Sequence, residues 1–528
     1  MIRTVGGRAE HIVVVGAGLA GLSAALHLAG RGRRVTVVER EAVPGGRVGR
    51  VDTQGYRLDT GPTVLTMPDI IDDTFAAVGE DRAHRLDLQR VDPAYRAVFA
   101  DGSELDVHSD AERMAAAVEA FAGAGQAAGY RRLRDWLIRL YRTEFDGFIA
   151  ANFDSPLSLL TPQLVRVAAL GGFRKWEGVV DRFITDERLR RVFTFQSLYA
   201  GVPPNRALAV YAVIAYMDTV AGVYFPRGGM RALPDALAAA AADAGVRFEY
   251  SSPVTKLERT ADRVTAVHTD KGSHGHRIEC DAVVLTTELP HTYRLLSRTP
   301  RRPLRLRPAP SAVVAHIGCS AVEHRGREER NKHRGREERN SSSPHHTILF
   351  GSAWRQTFDD IIRAGRPMAD PSLLVTRPTV GDPSLAPAGR DLLYVLAPAP
   401  NLTRGDLDWD AMRDSYAAEI LDVVRTRLPD VSDDAEVLHV VTPADWARQG
   451  MIAGTPFALA HTFAQTGPFR PANTVRGVAN AVLAGSSTVP GVGVPTALVS
   501  GRLAADRITG PLRQRRVRAI ASEQEQTA

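Results

Sequence analysis

Residues 11–30 read HIVVVGAGLAGLSAALHLAG, and this stretch decides the fold. The β-branched run Ile12 to Val15 predicts a strand, Gly16-Ala17-Gly18 a turn, and residues 19–30 a helix. The three glycines have separate duties. Gly16 permits the tight turn, Gly18 lets the backbone approach a pyrophosphate, and Gly21 lets the helix pack closely on the strand. Free N–H groups at the helix N-terminus supply partial positive charge for the phosphates. A second strand over 35–39 ends at Glu39, 23 residues after Gly16, where an acid accepts hydrogen bonds from a ribose hydroxyl. Together these predict a dinucleotide site on a Rossmann-like, doubly wound α/β sheet.

The same stretch carries no Asp, Glu, Lys or Arg, and Arg3 and Arg8 precede it, which by length alone permits a membrane span or a signal peptide. The β-branched opening and the glycine break argue against both. Residues 479–500 are also uncharged, but Pro490, Gly491, Gly493 and Pro495 make a spanning helix poor. No transmembrane segment is expected.

Outward from the fingerprint, 528 residues suggest two or three domains. Hydrophobic content of 44% and charged content of 24% exclude a disordered or disulfide-scaffolded chain. Cys280 and Cys319 are too few for a cysteine zinc site, neither CxxC nor HExxH occurs, and no metal is expected. A reducing cytoplasm fits. The net charge of +6 is small, and the basic residues, nearly all Arg, are interleaved with acids, so no nucleic-acid partner is expected.

Residues 1–10 read as a loose leader and 41–66 as a Gly-rich loop region. From 68 to 220 the periodicity is mostly helical. Strands are expected at 246–250, 263–269, 281–286, 311–318, 391–397 and 481–484, and helices at 409–427 and 494–508. The octapeptide HRGREERN occurs at 324–331 and 333–340; lacking apolar residues, it reads as an exposed charged loop.

Pro44-Gly45-Gly46-Arg47 and Asp59-Thr60-Gly61-Pro62-Thr63 favour FAD over NAD, because paired glycines admit an extended cofactor and Arg47 can neutralise phosphate or bind a flavin carbonyl.

With these motifs the chain resembles the FAD-dependent amine-oxidase superfamily and, more narrowly, the bacterial-type phytoene desaturases. The resemblance spans about 11–510 outside the repeat loop. It is carried by YFPRGG at 224–229, HTYRLL at 291–296, HHTILFG at 345–351, LAPAPN at 396–401 with LDW at 407–409, and most specifically LAGSSTVPGVGVP at 483–495. The resemblance implies a discontinuous FAD-binding domain (11–75, 225–305 and 475–510), a helical, membrane-facing substrate part (76–224), a mixed α+β substrate domain (306–474, with the charged loop at 321–343) and a tail (511–528). It implies that Gly16, Gly18, Gly21, Glu39, Gly46 and Arg47 hold the adenosine, pyrophosphate and flavin edge. Val254 would face the adenine through its backbone, and Gly485 and Val494 would border the flavin end. Ser486 stands where relatives often carry an acid. Ser155 to Leu160 lies where some desaturases have an Arg and an Asp near the flavin; this chain has neither, and the adjacent Asp154 is no substitute.

The implied activity is stepwise desaturation of 15-cis-phytoene to neurosporene or lycopene, with oxygen or a quinone as terminal acceptor. The catalytic acid or base is unassigned; His291, His345 and His346 are candidates for the proton, set against structural or exposed roles. Residues 157–170, with Arg166, Arg174 and Lys175, read either as an interfacial amphipathic segment or as a buried helix. A lipophilic polyene and a peripheral place on the inner face of the cell membrane follow from the resemblance. A desaturase of a later carotenoid, a ketolase-like relative, a soluble amine oxidase and a flavin-binding protein without turnover are the alternatives.

Overall fold

The computed structural model describes residues 3–155, 161–270, 275–300, 305–321 and 343–511. The HRGREERN repeat, residues 512–528 of the tail and the segment 156–160 lie outside the described residues.

The strand His11–Val15 lies at the centre of a six-stranded sheet. On one side it pairs in parallel with Arg34–Val38, which pairs in parallel with Arg247–Glu249. On the other side follow Ala282–Leu285 and Val478–Leu483, both parallel, and the antiparallel edge Thr474–Val475. Val-rich runs without alternation suit strands buried on both faces. Ile12 and Val14 point to the helices Leu19–Ala29, Ala232–Asp243 and Val494–Thr509. Val13 and Val15 point the other way, onto Leu257, Val267 and Ile278. That second face corrects the doubly wound expectation. It is covered mainly by the antiparallel strands Val254–Thr260, Arg263–Thr269 and His276–Glu279, with only the short helix Leu289–Leu295 added.

A second, seven-stranded mixed sheet runs Glu436–Val441, Ser311–Ser320, Arg390–Ala399, Leu373–Thr376, His346–Leu349, Tyr95–Val98, Glu104–Val107. Its last two strands, with Leu88–Val91 of a third small sheet, fall inside the range expected to be mostly helical. The period-two burial of Tyr95 and Ala97 against half-buried Arg96 is the strand signal there. The loop region 41–66 likewise holds the hairpin Arg50–Thr53/Tyr56–Asp59. Elsewhere in this range the helices Ala111–Ala122, Ala124–Glu144 and Glu187–Thr194 pack around Trp136 and Trp176, whose rings stack at 5.7 Å.

Residues 3–5 of the leader are tied to the last helix. Val5 N–H donates to the Arg507 carbonyl (2.7 Å), and Arg507, fully buried, is ion-paired with Asp154. Asp154 also accepts the Arg3 N–H at 2.8 Å, so its role is to pin the N-terminus to the last helix.

Candidate cofactor and substrate site

The parallel strands end together at Val15, Val38, Leu285 and Leu483, and the loops leaving them form one crevice, the usual ligand position in such sheets. Gly16 adopts φ +104° and donates its N–H to the Val38 carbonyl at 2.8 Å. A Cβ there would lie 2.3 Å from Thr286 Oγ1, so the turn excludes any side chain. Gly21 works against its own turn: a Cβ would meet the Gly16 carbonyl oxygen at 1.9 Å. Gly18 caps the helix Leu19–Ala29 without a side-chain bond, and beside it the only atom within 4 Å of a built Cβ is Gly46 Cα, at 3.9 Å. Gly45 N–H donates to the Ala17 carbonyl (2.9 Å), which brings the second glycine loop over the first.

Glu39 is buried. Its two carboxylate oxygens accept the N–H groups of Ala17 (2.6 Å) and Glu41 (3.0 Å), leaving a lone pair on each for a ligand hydroxyl. Ser252 N–H donates to the Glu39 carbonyl (2.8 Å), which sets Val254, two residues on, beside this end of the crevice. At the other end Arg47 is ion-paired with Glu288, and Ser487 Oγ donates to the same carboxylate at 2.9 Å. Burial lowers the Arg47 guanidinium to about 10, still protonated at neutral pH.

The loop 485–493 closes the crevice. Gly485 (φ +112°) donates its N–H to Ser500 Oγ at 3.0 Å, and Ser500 Oγ donates to the Val489 carbonyl at 2.7 Å. Arg470, 1% exposed, holds the loop from behind through the carbonyls of Ser486 (2.7 Å) and Thr488 (2.8 Å). Val494, buried, begins the last helix after Gly493 (φ +129°). An acid, an uncapped helix N-terminus, open space beside Gly18 and a cation in line match the parts of a pyrophosphate-linked dinucleotide, so these residues fit FAD.

Elsewhere in the molecule lies an apolar cavity of about 40 Å³. Phe195, Tyr199, Ile348, Phe350, Leu374 and Phe457 are among its walls, between the helical part and the seven-stranded sheet.

The histidines separate here. His346 is bonded through Nδ1 to Thr376 Oγ1 (2.7 Å) and held at about 3 by burial, a satisfied core residue. His345 packs on Phe225 with ring centroids 4.6 Å apart and is held at about 4 by burial. His291 is half-buried on the helix Leu289–Leu295, where burial lowers it. Sequence reasoning missed Glu288 and Arg470. Glu288 follows a parallel strand closely, as Glu39 does, and that position was the available signal.

Comparison with known proteins adds the following. Residues 19–509 match the family described as flavin containing amine oxidoreductase. A phytoene dehydrogenase of Streptomyces griseus is 60% identical over 511 residues, covering 96% of this chain and 97% of that protein. A zeta-carotene-forming phytoene desaturase of Myxococcus xanthus is 36% identical, with 94% of each chain covered. A putrescine oxidase structure with bound putrescine superposes with a TM-score of 0.58 at 16% identity, covering 94% of this chain and 98% of that one, a likeness of fold alone.

Proposed function

The chain belongs to the flavin-containing amine oxidoreductases and, within them, to the bacterial carotenoid desaturases, and from that premise we propose that it converts 15-cis-phytoene stepwise to neurosporene or lycopene. It is an FAD-dependent oxidoreductase. The identity of 60% over nearly the whole of both chains carries the substrate reading.

In this reading Gly16, Gly18, Gly21 and Gly46 hold the pyrophosphate against the helix N-terminus, and Glu39 and Val254 hold the adenosine end. Arg47, kept in place by Glu288, faces the flavin edge, and Gly485 and Val494 border the ring. The parallel sheet draws its strands from 11–38, 247–285 and 474–483, which supports a discontinuous FAD-binding domain over 11–75, 225–305 and 475–510. When bound, FAD accepts the hydride that desaturation releases. The chain's own share is to hold the C–H bond close, through the apolar walls around Phe195, Tyr199 and Phe350, and to keep water away.

The substrate is a polyene dissolved in lipid, and the chain meets it at the inner face of the cell membrane. Among the described residues no helix is long and apolar enough to cross a membrane. Instead the helix Pro162–Ala169 leaves Val165 69% exposed and buries only Val167, which favours the interfacial reading over 162–169. Phe463, 60% exposed, and Phe469 lie nearby with ring centroids 5.6 Å apart, tilted at 35°. Gly467 abuts Phe148, and Gly147 abuts Gln163, so the loop and the helix form one face, with Arg166 exposed on it. Oxygen or a quinone reoxidises the cofactor in this reading.

The test is expression in a cell that makes phytoene and nothing beyond it, followed by pigment chromatography. Coloured products with lengthened conjugation are expected, and their absorption counts the steps. Untouched phytoene beside a yellow, FAD-loaded protein would overturn the substrate while leaving the flavoprotein.

A further inference from the structure

Resting on the reading of the crevice as the FAD site, we propose that Glu288 fastens a clasp that closes over the cofactor, governs how fast it leaves and holds the Arg47 charge at its flavin end. The clasp runs across the sheet. Arg47 lies beyond the strand Arg34–Val38, Glu288 beyond Ala282–Leu285, and Ser487 beyond Val478–Leu483. These strands stand second, fourth and fifth in the sheet, so the first and last of them lie three spacings apart, about 14 Å. The strand passed over is His11–Val15, whose end carries the Gly16 turn. Contacts beneath the crossing bind it to that turn. Gly45 N–H donates to the Ala17 carbonyl at 2.9 Å, and a Cβ on Gly46 would lie 3.2 Å from Gly18 Cα. Thr286, two residues before Glu288, packs against Gly16 itself. The loops on either side of the Gly18 helix N-terminus are thus tied to each other through one carboxylate.

The Glu288 side chain is committed to this tie. Its residue opens the helix Leu289–Leu295, and its carbonyl accepts the Thr292 N–H at 2.9 Å, which fixes the backbone. A residue at that position often spends its side chain on a free N–H of the helix. Glu288 makes no such bond. Instead one carboxylate oxygen is ion-paired with Arg47, and the other accepts the Ser487 hydroxyl at 2.9 Å. The Arg47 and Glu288 side chains are only 27% and 14% exposed, so salt and water screen the pair little. Ser500 and Arg470 hold the loop 485–493 to the last helix and from behind, and Glu288 is what joins it to Arg47. Glu288 is therefore a positioning residue, which acts on the cofactor through Arg47 and through the loop. Its negative charge also offsets the cation that Arg47 brings to the crevice.

The test starts from the FAD-loaded enzyme and follows cofactor release after dilution by the fluorescence of the freed flavin. For Glu288→Ala release should quicken about 10-fold or more, the scale of a lost charge-assisted hydrogen bond. Ser487→Ala should quicken it about threefold or more. Added to Glu288→Ala, the serine change should bring less than about a further twofold, because both act through one carboxylate. Glu288→Gln keeps an acceptor for Ser487 and loses the charge. Its flavin midpoint potential should move to more positive values, since an uncompensated Arg47 favours the electron-rich reduced form, and Ser487→Ala should leave the potential unmoved. Release from Glu288→Ala at the wild-type rate overturns the proposal. So do independent effects of the two substitutions, which mark two separate local losses, and so does an unmoved potential in Glu288→Gln. If Glu288→Ala is purified without FAD, the release rate of Ser487→Ala and the potential of Glu288→Gln decide in its place. Gly16→Val separates the inference from the reading beneath it. A Gly16→Val protein that keeps FAD removes the crevice reading and this inference with it; loss of FAD from Gly16→Val beside wild-type release from Glu288→Ala removes the inference alone.

Discussion

Gly16 shows how little freedom the crevice allows at one position. Its backbone is left-handed and its missing Cβ leaves room for Thr286 Oγ1, which donates to the Val15 carbonyl at 2.8 Å. Gly16→Val therefore forces the turn open; FAD absorbance at purification should be lost and turnover with it. Asp218 makes a prediction about pH. Burial raises its carboxyl from 3.8 to about 7, opposed only by a bond from the Gln196 amide (3.4 Å). The folded protein keeps this proton longer than the unfolded chain does. Its contribution to stability is full below about pH 4, falls as pH rises and is gone above about 7. Asp218→Asn has no proton to lose, so its melting temperature should vary less than wild type across that window. Some slope remains, because burial also raises Asp59, to about 6.

At the scale of elements, the contact between the first and last helices sets the crevice. A Cβ on Gly501 would meet the Ala20 carbonyl at 2.3 Å and the Ala24 nitrogen at 2.7 Å, so the helices touch backbone to backbone. Ser23 Oγ, bonded to the Leu498 carbonyl at 2.7 Å, and the buried Arg31–Asp506 pair lock the crossing. The same last helix carries Ser500, which holds the loop 485–489. Gly501→Ala should lower stability by about 1–3 kcal/mol, as overpacking does, read as a lower thermal midpoint. It should also weaken FAD retention, because the loop moves with the helix; an unchanged FAD affinity would show that loop and helix packing are independent.

At the scale of the whole molecule, three segments far apart in sequence, 145–149, 162–169 and 463–469, meet in one apolar face. Replacing Val165 and Phe463 by Glu removes two of its most exposed apolar side chains. Each is worth about 1–2 kcal/mol of apolar contact, so the pair should weaken flotation with liposomes by tenfold or more. FAD content should stay the same, and turnover should fall only when phytoene is supplied in membranes. Flotation equal to wild type would place the membrane contact elsewhere.

The fingerprint strand, its helix, Glu39 and the ends of the last helix were legible in residues 11–39 and 483–509, because each depends on local backbone preference and short-range periodicity. The strands over 88–107 were not. They are short and half-buried, and what makes them strands is pairing with residues far off in sequence, such as His346–Leu349 and Val223–Pro226. The Arg47–Glu288 pair spans 241 residues, and the approach of His461 to Gly491 is made by two loops that share no local signal. The sequence by itself determined that a dinucleotide site exists and which glycines build it, since turn geometry and close approach are properties of neighbouring residues. Only the tertiary structure decided which acid holds Arg47, which histidines are buried and which apolar residues stay exposed, since burial and pairing arise when distant segments pack.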